Sequence, residues 1–139
     1  INDAVYFPAN DGTNGIELWR TDATEAGTWM VKNIGTGANS MCQSVYGCGP
    51  EHIVMNSILY FRASDNVHGA EIWRSDGTEA GTYMVKDINP GGADCNPGYL
   101  TNFNGVLYFV ATDPVHGTEL WKSDGTSDDM SARGSQTET

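Results

Sequence analysis

The sequence predicts an all-β protein made of repeated four-stranded antiparallel units of propeller-blade type, about three in number and incomplete at both ends. Three observations carry that expectation. A motif of roughly 50 residues recurs three times. Each copy breaks into short runs rich in β-branched and aromatic residues, bounded by Gly, Asn or Asp. No stretch holds the 3.6-residue apolar period of a helix.

The repeat can be read directly. Val5-Tyr6-Phe7 returns as Leu59-Tyr60-Phe61 and Leu107-Tyr108-Phe109. Glu17-Leu18-Trp19-Arg20 returns as Glu71-Ile72-Trp73-Arg74 and Glu119-Leu120-Trp121-Lys122. Residues 21–34 (TDATEAGTWMVKNI) return as 75–88 (SDGTEAGTYMVKDI), and the likeness decays after SDGT at 123–126. The repeated tryptophans stand 54 and 48 residues apart, the difference being a six-residue insertion around Cys42 to Cys48. Tyr6, Trp19, Tyr60, Trp73, Asp76, Tyr108, Trp121 and Asp124 are the anchors of the pattern. The chain therefore divides into a first repeat (1–48, lacking its first strand and carrying the Cys loop) and a complete second repeat (49–96). A third repeat (97–126) lacks a clear last strand and is followed by a polar tail (127–139).

The middle copy shows each element in order. His52-Ile53-Val54-Met55 is a strand, Asn56-Ser57 a turn, and Ile58 to Ala63 a second strand, nearly continuous in apolar character as a strand covered on both faces must be. A polar connection with Asp65, His68 and Gly69 leads to a third strand, Glu71 to Ser75. Asp76-Gly77 then turns the chain into Thr82 to Ile88. Ser and Asp there accept bonds from nearby backbone N–H groups and glycine supplies positive φ, so this turn, like an Asp-box, is expected to be structural. The aromatic anchors are expected to fill the space between units.

Composition narrows the function classes. Seven basic residues against 18 acidic ones give a net charge of −11, which leaves no basic footprint for nucleic acid. No run approaches the ~18 apolar residues of a membrane span. The chain opens directly in strand-like sequence at Ala4 to Phe7, so its start reads as a mature, trimmed or truncated end without a signal peptide. Cys42, Cys48 and Cys95 lie in loop-like sequence without zinc-site spacing, which points to an oxidising, extracellular setting. Cys48 is a candidate disulfide partner for Cys42 or for Cys95.

Asp…His-Gly-x-Glu-Leu-Trp-x-Ser-Asp-Gly-Thr together with Glu-Ala-Gly-Thr-x-x-Val-Lys-Asp-Ile resembles the ELWxxDGT repeat family, sometimes labelled hyalin-like, over residues 4–126. The resemblance implies β-propeller-type repeats in large secreted or surface proteins and an adhesive or structural role. It supplies no catalytic residues. Copy one departs from it with Thr21-Asp22-Ala23, and copy three with the absence of Val-Lys-Asp-Ile.

Two equivalent loops, Asp65-Asn66-Val67-His68-Gly69 and Asp113-Pro114-Val115-His116-Gly117, each offer a carboxylate and an imidazole. Asp65, His68, Asp113 and His116 are thus the candidate metal ligands, calcium ahead of zinc because oxygens dominate, against the alternative of Asp capping its own turn. Copy one has no His there. No resident cofactor is expected. Glu17, Glu71 and Glu119 recur identically, with backbone groups or Lys32 and Lys86 as expected partners. No phosphate loop, nucleophile elbow or zinc-protease motif occurs, so no enzyme is expected.

Three blades cannot close a ring of ordinary curvature, and something must cover the outer faces. The leading expectation is a non-catalytic extracellular repeat module that self-associates, as a ring shared between chains or a head-to-tail filament. The alternatives are a lectin-like propeller binding glycans between blades, or a fragment of a larger surface adhesin.

Overall fold

The structure, a computed structural model, describes residues 1, 3–36, 40–41 and 52–132. Over these residues the chain is all β with no helix. The strands are β1 (Val5–Asn10), β2 (Ile16–Thr21), β3 (Trp29–Lys32), β4 (His52–Met55), β5 (Ile58–Ser64), β6 (Ala70–Ser75), β7 (Tyr83–Lys86), β8 (Gly98–Phe103), β9 (Val106–Asp113), β10 (Gly117–Ser123) and β11 (Ser131–Ala132). They form three antiparallel sheets in sequence order: β1-β2-β3, β4-β5-β6-β7 and β8-β9-β10-β11. Each sheet is one copy of the repeat. The hairpins β4–β5 and β8–β9 close on Asn56-Ser57 (φ 53° and 63°) and Asn104-Gly105 (φ 53° and 78°). Two consecutive left-handed residues match the strand twist, which is why Asn and Gly are found there.

β11 corrects the expectation that the third copy has no last strand and that a polar tail begins at Ser127. Trp121 pairs with Ala132 and Lys122 with Ser131. The same register pairs Trp73 with Met84 and Arg74 with Tyr83, and Trp19 with Met30 and Arg20 with Trp29. A ladder is made by backbone N–H and C=O groups, so Ser131 and Ala132 hold the place without resembling the residues of the other copies. In copies one and two the register slips between Leu18 and Trp19 and between Ile72 and Trp73. The residues passed over, Val31 and Val85, are buried, so the bulge re-aims a β-branched side chain into the core.

The core lies between the sheets, and it is the same core twice. Leu18, Val31 and Ile34 of copy one meet Leu59, Phe61, Ala63 and Trp73 of copy two, with Tyr6 and Met84 packed against them. Ile72, Val85, Ile88 and Tyr60 of copy two meet Leu107, Phe109, Ala111, Trp121 and Ala132 of copy three. Strand alternation makes this possible. Along β5, Leu59 and Phe61 serve the first joint and Tyr60 the second, so all three are buried. Along β9 only the Leu107, Phe109 and Ala111 face is buried, and Tyr108, Val110 and Thr112 face outwards half exposed. Each fully buried Leu, Val, Ile or Phe contributes about 1.5–3 kcal/mol, so these joints hold the fold together.

Polar crosslinks repeat with the core. Lys32 Nζ donates to the Thr82 carbonyl at 2.8 Å and Lys86 Nζ to the Met130 carbonyl at 3.2 Å, each reaching into the following sheet. The lysines therefore tie neighbouring copies together; pairing them with Glu17 and Glu71 is corrected. Ser40 N donates to the Ile16 carbonyl and the Ser40 carbonyl accepts from Ser64 N. Cys95 does the same between Ala70 and Thr112. Ser40 and Cys95 are thus structural equivalents, each stitching one sheet to the next.

Candidate functional site

The turn after the Trp strand is a closed hydrogen-bond system. Asp22, Asp76 and Asp124 each accept from the backbone N–H and hydroxyl of Thr24, Thr78 and Thr126 at 2.5–2.9 Å. Those threonine and backbone bonds hold all three carboxyls below the usual range. A Cβ at Gly27 or Gly81 would run into the Asp22 or Asp76 carboxylate, which is why glycine stands there. Copy three uses Asp129 instead, whose carboxylate accepts from Asp124 N at 2.9 Å.

The candidate metal loops are turns of the same self-satisfied kind. Asp65 Oδ1 accepts from Val67 N and His68 N, and its Oδ2 lies 2.5 Å from His68 Nδ1. Asp113 accepts from Val115 N and His116 N and pairs with His116 Nδ1 at 2.7 Å. In copy one Asp11 accepts from Thr13 N, Asn14 N and Asn14 Nδ2, so Asn14 fills the role of histidine. Burial raises the Asp65 and Asp113 pKa values, but the bonds from His68 and His116 outweigh it and leave both low. The bond to Asp65 raises the His68 pKa. The two loops are not brought together, and no group of three metal-capable side chains occurs among the described residues.

Glu17 and Glu71 are fully buried and pin the segment that leads to the next sheet. Glu17 accepts from Ile34 N (2.8 Å), Gly35 N (2.9 Å) and Ser40 Oγ (2.6 Å). Glu71 accepts from Ile88 N (2.9 Å), from Asn89 N (3.4 Å) and from the Cys95 thiol. Burial pushes the Glu71 pKa up to about 7. Burial, then the neighbouring Glu71, push the Cys95 thiol up as well. Cys95 is a free, buried thiol, so a bridge from it to Cys48 is not made; Cys42 and Cys48 themselves lie outside the described residues. The signal for this arrangement was present only in part. The recurring Glu marked it, but the matching of Ser40 to Cys95 is hidden by different chemistry.

Among the described residues, the outer faces of the first and third sheets carry exposed apolar side chains. On the third sheet, Tyr99, Thr101, Phe103, Tyr108, Val110 and Leu120 line an apolar groove of about 440 Å³. Tyr99 is 83% exposed, Phe103 63% and Leu120 45%. Tyr99 owes its position to an irregularity in β8 between Gly98 and Thr101, where its φ is 56°. Phe103 and Tyr108 meet edge to face at 6.3 Å. These are the third-copy positions of Met55, Tyr60 and Ile72, which the second joint buries. On the first sheet, Val5 (64% exposed), Phe7, Ala9, Trp19 and Met30 occupy the positions of Leu59, Phe61, Ala63, Trp73 and Met84, which the first joint uses. Exposed apolar faces that are contiguous mark interaction sites. Trp73 and Trp121, in contrast, are shut inside the joints, away from any sugar.

No family model, curated protein or solved structure matches the chain. No helix among the described residues is long and apolar enough to cross a membrane.

Proposed function

We propose that this chain is a non-catalytic, extracellular repeat module of the ELWxxDGT type, whose sheets are propeller-like blades and which self-associates head to tail through its two outer faces. One observation carries the reading. The two joints inside the chain are built from equivalent residues, and each end of the stack leaves one half of that same joint without its other half: exposed Phe103 and Leu120 with half-buried Tyr108 at one end, exposed Val5 with half-buried Phe7 and Trp19 at the other. The halves are complementary, not identical, so the contact is heterologous and generates a shared ring or a filament. The approach of β8 to β4 and β5 supports blade-like packing of neighbouring sheets. The loop-like placement of Cys42 and Cys48 in the sequence supports an extracellular setting. A glycan-binding reading has less behind it, because Trp73 and Trp121 are buried and the open groove offers few polar groups to fix a sugar.

Two charge variants test it. Leu120→Asp and Val5→Asp each spoil one end, and each alone is expected to allow only contacts through the spoiled face, leaving monomers in native mass spectrometry. Mixing them restores one good pair of faces, so heterodimers are expected and nothing larger. Homodimers of either variant, or no heterodimer in the mixture, would contradict head-to-tail association.

A further inference from the structure

The joints inside the chain contain a fitted detail that the outer face of copy one lacks. At the first joint the Tyr6 hydroxyl is seated against Gly77, so closely that a Cβ there would lie far inside van der Waals contact with the hydroxyl oxygen. At the second joint Tyr60 sits on Gly125 in the same way. Burial raises both tyrosine pKa values, and the aspartate of the same turn, Asp76 or Asp124, adds a smaller push against the nearby Arg20 or Arg74. The glycine is therefore the socket and the tyrosine of the preceding copy is the peg.

Copy three presents the next peg, Tyr108, on its open face. The socket that a second copy would bring to it is Ala23. Its backbone holds the socket shape: φ is 75°, beside 96° at Gly77 and 103° at Gly125. Its N–H donates to Thr21 Oγ1 at 3.0 Å, as Gly77 N donates to Ser75 Oγ at 3.0 Å and Gly125 N to Ser123 Oγ at 2.9 Å. With the turn unchanged, the alanine methyl stands where a Cβ at Gly77 or Gly125 would meet the tyrosine. Alanine also sits there in a left-handed conformation that glycine adopts without strain. Nothing in the turn itself calls for the methyl.

We infer that Ala23 holds the joint between two copies of this chain looser than the joints within it, by closing the socket to the Tyr108 hydroxyl of the neighbour. The inference rests on the head-to-tail reading above and adds to it a built-in weakening of the contact. It confines tight packing to copies joined in one chain, and it makes the contact between chains reversible. The Tyr108 ring still covers apolar surface, while its oxygen is forced aside.

The test is a double-variant cycle in sedimentation velocity, using the full chain as wild type, Ala23→Gly, Tyr108→Phe and the pair. Ala23→Gly opens the socket and is expected to tighten association at least tenfold. Tyr108→Phe removes the oxygen that the socket rejects, so it is expected to tighten association in the wild-type background too. Because both changes relieve one clash, the pair together is expected to gain clearly less than the product of the two. Association that is unchanged or weakened by Ala23→Gly, or two gains that multiply, would overturn the inference while leaving self-association standing. If none of the four proteins associates at any concentration, the head-to-tail reading falls and the inference with it.

Discussion

Glu71 gives the account its sharpest pH signature. Its carboxyl is fully buried, and burial raises its pKa from 4.5 to about 7. An acid whose pKa is higher in the folded state favours folding when protonated. Its contribution is complete below about pH 4.5, is lost as pH rises, and has gone once pH passes about 7. At about 1.4 kcal/mol per unit the shift bounds the loss near 3 kcal/mol, of which about 2 kcal/mol falls between pH 5 and 8, because the unfolded carboxyl has begun to ionise by pH 5. The aspartates of the turns act in the opposite direction, since their lowered pKa values stabilise the fold above about pH 4 and are lost only in stronger acid. The two effects therefore separate along the pH axis. The perturbation is Glu71→Gln, which keeps the shape and cannot ionise. Its amide turns one donor towards Ile88 N or Asn89 N, a cost of about 1–2 kcal/mol that does not depend on pH. Urea unfolding of both proteins at pH 5, 6, 7 and 8 is the assay. The stability of the wild type relative to the variant is expected to fall by about 2 kcal/mol between pH 5 and 8. A difference that stays flat across that window would show that Glu71 ionises as an ordinary carboxyl, and the reasoning from its burial would be refuted.

Other outcomes follow from the repeated joints. Gly125→Ala places a methyl against the Tyr60 hydroxyl and an alanine at positive φ, so unfolding free energy is expected to drop by about 2–4 kcal/mol, with partial recovery when Tyr60→Phe is added. Phe61→Ala and Phe109→Ala occupy the same place in two joints, and each is expected to cost about 3–5 kcal/mol in chemical denaturation, the two agreeing within about 1 kcal/mol. Cys95→Ser copies the Ser40 arrangement and is expected to cost less than about 1.5 kcal/mol; in the wild type, mass-mapped thiol labelling should reach Cys95 only on unfolding. His68→Asn copies Asn14 of the first loop and is expected to change stability by less than about 1 kcal/mol, with or without added calcium.

What the sequence made legible is what repetition writes in side chains. The recurring Trp, Tyr and Glu marked the three sheets, and the near-continuous apolar run from Ile58 to Ala63 marked a strand covered on both faces, whereas the same run in the third copy, Leu107 to Ala111, buries one face alone. β11 was not legible, because strand pairing through the backbone tolerates Ser131 and Ala132 where the other copies have Tyr83-Met84 and Trp29-Met30. The peg and socket were not legible either. They join Tyr6 to Gly77 and Tyr60 to Gly125 across different copies, and nothing local in Thr21-Asp22-Ala23 reveals that a tyrosine of another sheet sets the requirement for glycine. The lysines misled for the same reason: Lys32 and Lys86 lie near Glu17 and Glu71 in the repeat, yet their reach carries them to carbonyls of the next sheet.

The central claim is that open halves of the inter-sheet joint meet between chains. Light scattering of the wild-type chain over a wide concentration range tests it most directly. The expected mass is near the monomer at low concentration and climbs through small oligomers, a climb abolished by Leu120→Asp. A mass that stays at one chain over the whole range, the same for wild type and variant, would contradict it.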